Sequence, residues 1–305
     1  EITIQGPDAA AFLDYALISD FTALKEGKAK YSMIVAEDGG ILDDLITYKF
    51  SDNHFMVVPN AANTNAVWAA FEARKGDFNV ELGNNSEAFA LVAVQGPRAL
   101  EVLEPLLSDD ASALSYYSGA WMTLDGVETF VARTGYTGED GFELFCTRED
   151  AQKVWDAVID HGTPCGLAAR DSLRLEASMP LYGHELTAEI TPVEAGMGRA
   201  FAKKEADFVG KDALTGREPS VVIAGLTSEQ RRAAREGADV FLASSEEKIG
   251  VVTSGQPSPT LGHPVALAHL DPAHAEEGTD VDVDIRGRRY PFTIAPTPFY
   301  SRKDA

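Results

Sequence analysis

Alternating apolar and polar positions at the start of the chain predict a strand–turn–helix unit that occurs twice. Residues 2–7, Ile-Thr-Ile-Gln-Gly-Pro, precede a helical pattern over residues 8–17. Residues 92–97, Val-Ala-Val-Gln-Gly-Pro, precede a second helical pattern over residues 98–107. Glycine permits the tight bend, and the fixed φ of proline suits a first helical turn. We therefore predict a duplicated βα unit; a chance likeness between two common turns is the alternative.

Between and after the two copies, the pattern predicts further strands and helices. Residues 31–36 and 41–50 read as two strands, and the Asp-Gly pair in the turn at residues 37–40 predicts that they form a hairpin. More strands are expected at residues 55–59, 120–124, 127–132 and 142–146, and more helices at residues 63–74 and 150–161.

The last third of the chain has a different pattern. Short apolar runs separated by Gly, Pro and Ser predict strands at residues 221–226, 249–254, 265–269, 281–285 and 290–294, with a tight hairpin at Arg286-Gly287. This spacing indicates a separate β-barrel or sandwich. We place the boundary near residues 217–220, which gives one domain over residues 1–217 and a second over residues 218–305.

Charge and composition narrow the function classes. The chain has 48 acidic and 26 basic residues, a formal net charge of −22, and no basic cluster that would attract a phosphate backbone. We therefore expect no nucleic-acid partner. No apolar run reaches the roughly 18 residues that a membrane span needs, so we expect no membrane partner either.

The cysteine and histidine residues indicate the redox compartment and whether a metal site is expected. The two cysteines, Cys146 and Cys165, form no disulfide framework, so a reducing compartment fits: the cytoplasm, or the mitochondrial matrix in a eukaryote. The six histidines show no metal-ligand spacing, and we expect no metal site.

A glycine-rich segment at residues 133–143 is the strongest local signal. Its sequence is Arg-Thr-Gly-Tyr-Thr-Gly-Glu-Asp-Gly-Phe-Glu, and its three glycines allow the backbone to approach a flat ligand closely. Glu143 follows at the start of a strand, from which its carboxylate can point into a cleft. An ordinary turn is the alternative.

Residues 165–176 form a predicted helix that places Arg170 and Arg174 on one face. Two arginines on one face can hold a carboxylate. The alternative is a solvated face on which Asp171 pairs with Arg174.

The paired acids Asp43 and Asp44 lie among apolar residues in the segment 39–46, Gly-Gly-Ile-Leu-Asp-Asp-Leu-Ile. Neighbouring residues of a strand point to opposite faces, so only one acid can face a given pocket. Apolar surroundings raise the pKa of a carboxyl group and suit it to proton transfer. The alternative is that one acid caps the turn.

These segments, taken in order, resemble the glycine cleavage T-protein family. The resemblance rests on Asp-Gly-Gly-Ile-Leu-Asp-Asp-Leu-Ile, Gln-Gly-Pro, Thr-Gly-Tyr-Thr-Gly-Glu-Asp-Gly-Phe-Glu, Gly-Leu-Ala-Ala-Arg-Asp-Ser-Leu-Arg-Leu-Glu-Ala and Thr-Ser-Gly-Gln-Pro-Ser-Pro-Thr-Leu-Gly. It implies an α+β, three-lobed fold around a folate site with a C-terminal β-barrel. It also leads us to expect that an N-terminal segment of the family is missing from this chain.

The resemblance implies an aminomethyltransferase that uses tetrahydrofolate. The family takes an aminomethyl group from the lipoyl arm of H-protein, releases ammonia and forms 5,10-methylenetetrahydrofolate. Lipoylated H-protein and a folate are thus the expected partners. The exposed-looking pairs Lys203-Lys204 and Arg231-Arg232, with Arg235, are candidates for docking the carrier.

The resemblance also implies roles for individual residues. Asp43 corresponds to the essential acid and would stabilise positive charge near N5 and N10 of the folate, with Asp44 as its outward neighbour. Glu143 corresponds to the acid that anchors the pterin. Arg170 corresponds to a substrate-binding arginine, and Arg302 to the C-terminal arginine that closes the site, with a frayed tail as the alternative for Arg302. Apart from the resemblance, Tyr136 and Tyr182 are expected as stacking walls, and ordinary packing is the alternative for both.

Three alternatives stay open. A folate-dependent demethylase or the folate domain of an oxidising enzyme can use the same scaffold, although the chain has no Gly-x-Gly-x-x-Gly motif for a flavin domain. Folate-binding proteins of iron–sulfur maintenance carry a cysteine motif where residues 206–211 have none. The third alternative is an interaction module without activity.

Overall fold

The computed structural model describes residues 1–302, and the chain divides into two compact units. Unit one comprises residues 1–37, 42–164 and 200–211. Unit two comprises residues 38–41, 165–199 and the described residues from 212 onward.

Unit one begins with a five-stranded sheet. Its strands are β1 (Ile2–Gln5), β2 (Ala29–Val35), β3 (Ile41–Ser51), β4 (His54–Pro59) and β5 (Glu81–Asn84), in the order β2-β3-β4-β1-β5. Helices α1 (Ala9–Ala16) and α2 (Thr64–Arg74) contribute to the apolar core of this sheet, where the rings of Phe12 and Phe71 meet edge to face at 5.6 Å.

A four-stranded sheet completes unit one. Its strands are β6 (Phe89–Gln95), β7 (Gly119–Leu124), β8 (Val127–Ala132) and β9 (Gly141–Thr147), in the order β6-β9-β8-β7. Helices α3 (Ala99–Leu103) and α4 (Ala151–Ile159) share a core with one set of its side chains. The opposite set includes Phe130 and Phe145, which pack with Tyr48 and Met56 of the first sheet. The two sheets therefore enclose a common core.

The duplicated βα unit is confirmed. In both copies a strand ends at glutamine, and the following glycine, Gly6 or Gly96, has a positive φ of 138° or 124°. In both copies the glycine carbonyl accepts a hydrogen bond from the amide three residues on, at 3.1 and 3.0 Å. The second helix is shorter than predicted because Pro105, which has no N–H to donate, lies in a 3₁₀ turn over Glu104–Leu106.

Unit two contains a closed six-stranded barrel. Its strands are β10 (Val222–Thr227), β11 (Asp239–Leu242), β12 (Lys248–Pro257), β13 (Pro264–Leu270), β14 (Asp280–Asp284) and β15 (Arg289–Ala295), in the order β10-β13-β12-β11-β14-β15. Strand β10 pairs with both β13 and β15, which closes the barrel. Two helices precede the barrel in the chain, α5 (Leu167–Glu176) and α6 (Lys211–Leu214).

The predicted α+β class with a C-terminal barrel is confirmed, including the hairpin at Arg286-Gly287, where both residues have positive φ. The sequence reading missed β5 and β11, which have four residues each and contain polar or glycine positions. The first barrel strand begins at Val222, and the division of the chain at residue 217 stays a prediction. Within the described residues, no helix combines the length and the apolar character that crossing a bilayer requires.

Candidate functional site

Strand β3 carries the acid pair, and its pleat separates the two side chains. Asp43 lies on the face of β3 that also carries the buried Ile41 and Leu45, and it has no exposed surface. Asp44 lies on the opposite face, which also carries Tyr48. The two acids are therefore adjacent in the chain but occupy different environments.

Asp43 is held by amide groups. It accepts hydrogen bonds from the backbone N–H of Asn60 at 2.9 Å, from Asn60 Nδ2 at 2.8 Å and from Asn63 Nδ2 at 2.7 Å. Burial raises the pKa of Asp43 to about 6, although these donors lower it and the charge of Asp44 raises it slightly. The expectation that apolar surroundings raise the pKa of this acid is confirmed.

Asp44 is also hydrogen-bonded. Tyr31 donates its hydroxyl to Asp44 Oδ2 at 3.0 Å, and Asn60 Nδ2 donates to Asp44 Oδ1 at 2.8 Å. The Asn60 amide thus connects the two carboxylates. Burial raises the pKa of Asp44 as well, while the hydrogen bonds from Tyr31 and Asn60 lower it.

Glu143 lies on β9 and faces a hydroxyl pair. Tyr48 donates to Glu143 Oε2 at 3.3 Å, Thr134 donates to the same oxygen, and the two hydroxyls are 2.9 Å apart. Since both hydroxyls use Oε2, Oε1 is left able to accept from a ligand. The residues paired with Glu143 on the neighbouring strands, Ala93 and Ala132, are small; Ala93 is exposed, whereas Ala132 is buried in the core shared by the two sheets.

An exposed apolar residue extends this face. Leu91 is two positions from Ala93 on the edge strand β6, so its side chain shares the face of Glu143, and 38% of it is exposed. A flat aromatic ligand held by Glu143 could cover this surface.

Asp44 and Glu143 lie in one neighbourhood. Burial raises the pKa of Tyr117, and the negative charges of Glu143 and Asp44 raise it further. Burial also raises the pKa of Tyr31, with smaller contributions from Asp44, Tyr117 and Tyr136. Tyr136, a residue predicted to bind the ligand, is therefore close to this tyrosine-rich cluster.

The expectation that Asp44 is the outward neighbour of Asp43 stays a prediction, and Asp44 retains more exposed surface than Asp43. Asp44 is half-buried, bonded to Tyr31, and on the side of β3 that faces Glu143, because the second sheet packs on that side. Asp43 lies on the opposite face of β3, and its role as the reacting acid stays a prediction.

The glycine-rich loop is braced at both ends. Arg133 makes a bidentate ion pair with Asp140, at 2.9 Å from Nε and 2.6 Å from Nη2. Gln95, from the second Gln-Gly-Pro turn, donates to the carbonyls of Thr134 and Phe142 at 3.1 and 3.2 Å. The sequence reading did not identify Gln95 as a brace, because its partners are far away in the chain.

Arg170, Tyr182 and Arg302 belong to unit two, whereas Asp43, Tyr136 and Glu143 belong to unit one. Arg170 lies on helix α5 and is exposed, as is Arg302. Tyr182 is partly buried and donates its hydroxyl to the carbonyl of Ile41 at 3.1 Å. Their contacts with a ligand stay predictions.

Arg174 is not a second ligand-binding arginine. Only 1% of it is exposed, and its guanidinium contacts Asp171, Glu185, the carbonyl of Met179 and Ser254. The predicted pairing with Asp171 is present at 2.9 Å, between a buried arginine and a carboxylate side chain that is 47% exposed.

Lys204 is not available for docking. Its ammonium donates to the backbone carbonyls of Asp14, Leu17 and Ser19, and burial lowers its pKa to about 8. Lys203, Arg231, Arg232 and Arg235 are exposed. No cluster of three or more metal-ligating side chains occurs among residues 1–302.

Comparison with known proteins gives matches over almost the whole chain. Residues 1–205 match the model of the GCVT N-terminal domain, and residues 222–301 match that of the glycine cleavage T-protein C-terminal barrel domain. An aminomethyltransferase of Corynebacterium aurimucosum is 57% identical, covering 99% of this chain and 85% of its own length. One of Streptomyces avermitilis is 48% identical, covering 99% and 84%.

A solved structure gives the same picture. The crystal structure of the glycine cleavage system aminomethyltransferase T from Bartonella henselae superposes with a TM-score of 0.92 at 36% identity, covering 99% of this chain and 84% of that one.

Proposed function

Since the chain belongs to the glycine cleavage T-protein family, it is an aminomethyltransferase, and we propose that tetrahydrofolate accepts the aminomethyl carbon from the lipoyl arm of H-protein, with release of ammonia. The observation that carries the proposal is the placement of Asp44 and Glu143, from two different sheets, around one cluster of tyrosines. When bound, tetrahydrofolate supplies the nucleophilic nitrogens N5 and N10.

Glu143 binds the pterin. The 2-amino group and the neighbouring ring N–H of a pterin are two parallel donors, which match the two oxygens of a carboxylate. Tyr48 and Thr134 fix Oε2, so the carboxylate is oriented before the ligand arrives. The exposed residues Ala93 and Leu91 offer a partly apolar surface for the ring system on the same face of the sheet.

Asp44 is the acid that faces the reacting nitrogens. Its carboxylate is held from two sides by Tyr31 and Asn60, which keeps it in one orientation for stabilising positive charge and accepting a proton. Asp43 has no exposed surface and contacts Asn60 and Asn63. We propose that Asp43 holds Asn60 in position, whereas the sequence led us to expect a catalytic role for it.

The remaining predicted residues are proposed to bind other parts of the folate. Tyr136 provides a stacking surface near Tyr31. Tyr182 is a second proposed stacking residue. Arg170 and Arg302 are exposed cations that pair with carboxylate or polar groups of the folate.

Lipoylated H-protein is the proposed donor partner. In a chain of net charge −22, an acidic carrier needs local positive charge for docking. Lys203 and the exposed arginines Arg231, Arg232 and Arg235 are the proposed contacts.

The test compares two single substitutions in an assay of ammonia release from aminomethylated H-protein with tetrahydrofolate. We expect Asp44→Asn to lower kcat by about 100-fold or more, as for loss of an acid–base group, and Asp43→Asn to lower it by about tenfold or less. Asp77→Asn, at an exposed aspartate beyond the end of α2, is the matched control.

The opposite ranking, with Asp43→Asn the more damaging substitution, would show that Asp43 is the reacting acid. Wild-type chain without any turnover of aminomethylated H-protein would contradict the proposed function itself.

A further inference from the structure

The motif at residues 253–262, Thr-Ser-Gly-Gln-Pro-Ser-Pro-Thr-Leu-Gly, has no role in the site described above. It occupies the end of β12 and the following turn, and its polar side chains contact helix α5 in unit two. Ser254 Oγ accepts from Arg174 at 2.7 Å, and Gln256 donates to Asp171 at 3.3 Å. The motif therefore holds the helix that carries Arg170.

Glu176 is the centre of this contact. It is the last residue of α5 and is 2% exposed. Its Oε1 accepts from the hydroxyl of Ser258 and from the backbone N–H of Thr260 at 3.1 Å, and its Oε2 accepts from the hydroxyl of Thr260 at 2.8 Å. A buried carboxylate with several neutral donors is costly to disturb, because a lost contact leaves a desolvated charge less well satisfied.

The same residue also holds the C-terminal segment. The backbone carbonyl of Glu176 accepts from the N–H of Tyr300 at 2.8 Å, and the N–H of Phe299 donates to Ser178 Oγ at 3.3 Å. Leu175 and Phe299 belong to one apolar cluster of unit two. Arg302 follows Tyr300 by two residues, so the backbone that leads to it is fixed against the end of α5.

Two proposed ligand-binding arginines thus lie next to Glu176, whose carboxylate holds the end of the helix that carries Arg170 and whose backbone carbonyl holds the segment before Arg302. Arg170 lies six residues before Glu176 on the same helix, about 9 Å along its axis, and Arg302 lies just beyond the segment bonded to the Glu176 carbonyl. We infer that Glu176 is a positioning residue which, through Ser258 and Thr260, sets the placement of Arg170 and Arg302 for folate binding. The inference rests on the proposed function.

The expected consequence is a loss of folate binding without a loss of chemistry. A residue that positions folate-binding arginines stabilises the bound substrate and the transition state by the same amount. Its removal therefore raises KM for tetrahydrofolate and leaves kcat unchanged. General loosening of the unit would lower kcat and the melting temperature as well.

The experiment measures KM and kcat for tetrahydrofolate, and its Kd by calorimetry, in Glu176→Gln, Arg170→Ala and the double variant. We expect Glu176→Gln to raise KM and Kd about tenfold, with kcat within about twofold of wild type. In the Arg170→Ala background, Glu176→Gln should raise Kd by less than about threefold. The effects of two substitutions on binding free energy are not additive when one residue acts through the other. Glu218→Gln, at an exposed glutamate of unit two, is the matched control.

A second variant covers the case in which Glu176→Gln does not fold. Thr260→Val keeps the shape of residue 260 and removes only its hydroxyl, and we expect it to raise Kd about threefold with the same dependence on Arg170.

The inference is overturned if both variants bind tetrahydrofolate as wild type does, or if their effects multiply with that of Arg170→Ala. It is also overturned if kcat and the melting temperature fall together with affinity. These results differ from a failure of the proposed function, in which the wild-type chain itself does not bind tetrahydrofolate.

Discussion

The ionisation of Asp43 has a measurable effect on stability. Its carboxyl group is fully buried, and burial raises its pKa from 3.8 to about 6 in the folded chain. The folded state therefore binds this proton more tightly than the unfolded state does. The corresponding stability is fully present below about pH 4 and is lost as the pH rises through about 6.

The size of the effect follows from the shift. About two pH units at about 1.4 kcal/mol each give a loss of about 3 kcal/mol between acidic and neutral pH, of which about half falls between pH 5 and pH 7.5. Asp43→Asn removes the titrating group, so the free energy of unfolding of the variant lacks this component.

Urea unfolding of wild type and Asp43→Asn at several pH values between 5 and 7.5 measures the effect. We expect the free energy of wild type minus that of the variant to fall by about 1.5 kcal/mol over this range. Asp77→Asn, at an exposed aspartate, is the matched control. If the difference for Asp43→Asn is flat or grows with pH, the reasoning about its burial is refuted.

Three further substitutions test other parts of the account. Tyr48→Phe removes a hydroxyl that orients Glu143 and should raise KM for tetrahydrofolate about tenfold in a steady-state assay; an unchanged KM would contradict this. Gly135→Ala places a Cβ 1.9 Å from the Gln95 side chain and should lower the free energy of unfolding by about 1–3 kcal/mol in urea, whereas wild-type stability would show that Gln95 can move aside. Lys204→Met leaves three backbone carbonyls without their donor and should cost about 2–4 kcal/mol in the same measurement; a neutral effect would indicate that the ammonium is not needed.

The sequence predicted most elements because their signals are local. The alternating strands, the Gln-Gly-Pro turns and the hairpin at residues 286–287 depend on neighbouring residues, and the structure has them. The family assignment is confirmed as well, because it rests on an ordered series of motifs.

The assignment within the acid pair depends on long-range packing. Alternation along β3 correctly separates Asp43 from Asp44. Which of them faces Glu143 depends on the side of the first sheet on which the second sheet packs, and no local pattern encodes that. Asn60 was overlooked for the same reason, because it is connected to both acids only after β3 and β4 have paired.

The basic residues show a second limit of prediction from the sequence. Lys203 and Lys204 look equivalent in the sequence, yet Lys203 is exposed and Lys204 is bonded to three carbonyls around the end of α1. Arg174 similarly looked like a partner of Arg170 but belongs to a buried network with Glu185. Burial of a long cationic side chain depends on carbonyl and carboxylate groups brought together by the fold.

Titration with tetrahydrofolate by calorimetry, run on wild type and Glu143→Ala in parallel, tests the central claim most directly. The account predicts saturable binding to the wild-type chain and binding at least about 100-fold weaker in Glu143→Ala, because a carboxylate that pairs two N–H groups of the pterin is lost. Equal affinity of a folded Glu143→Ala variant, or no binding to folded wild type, would contradict it.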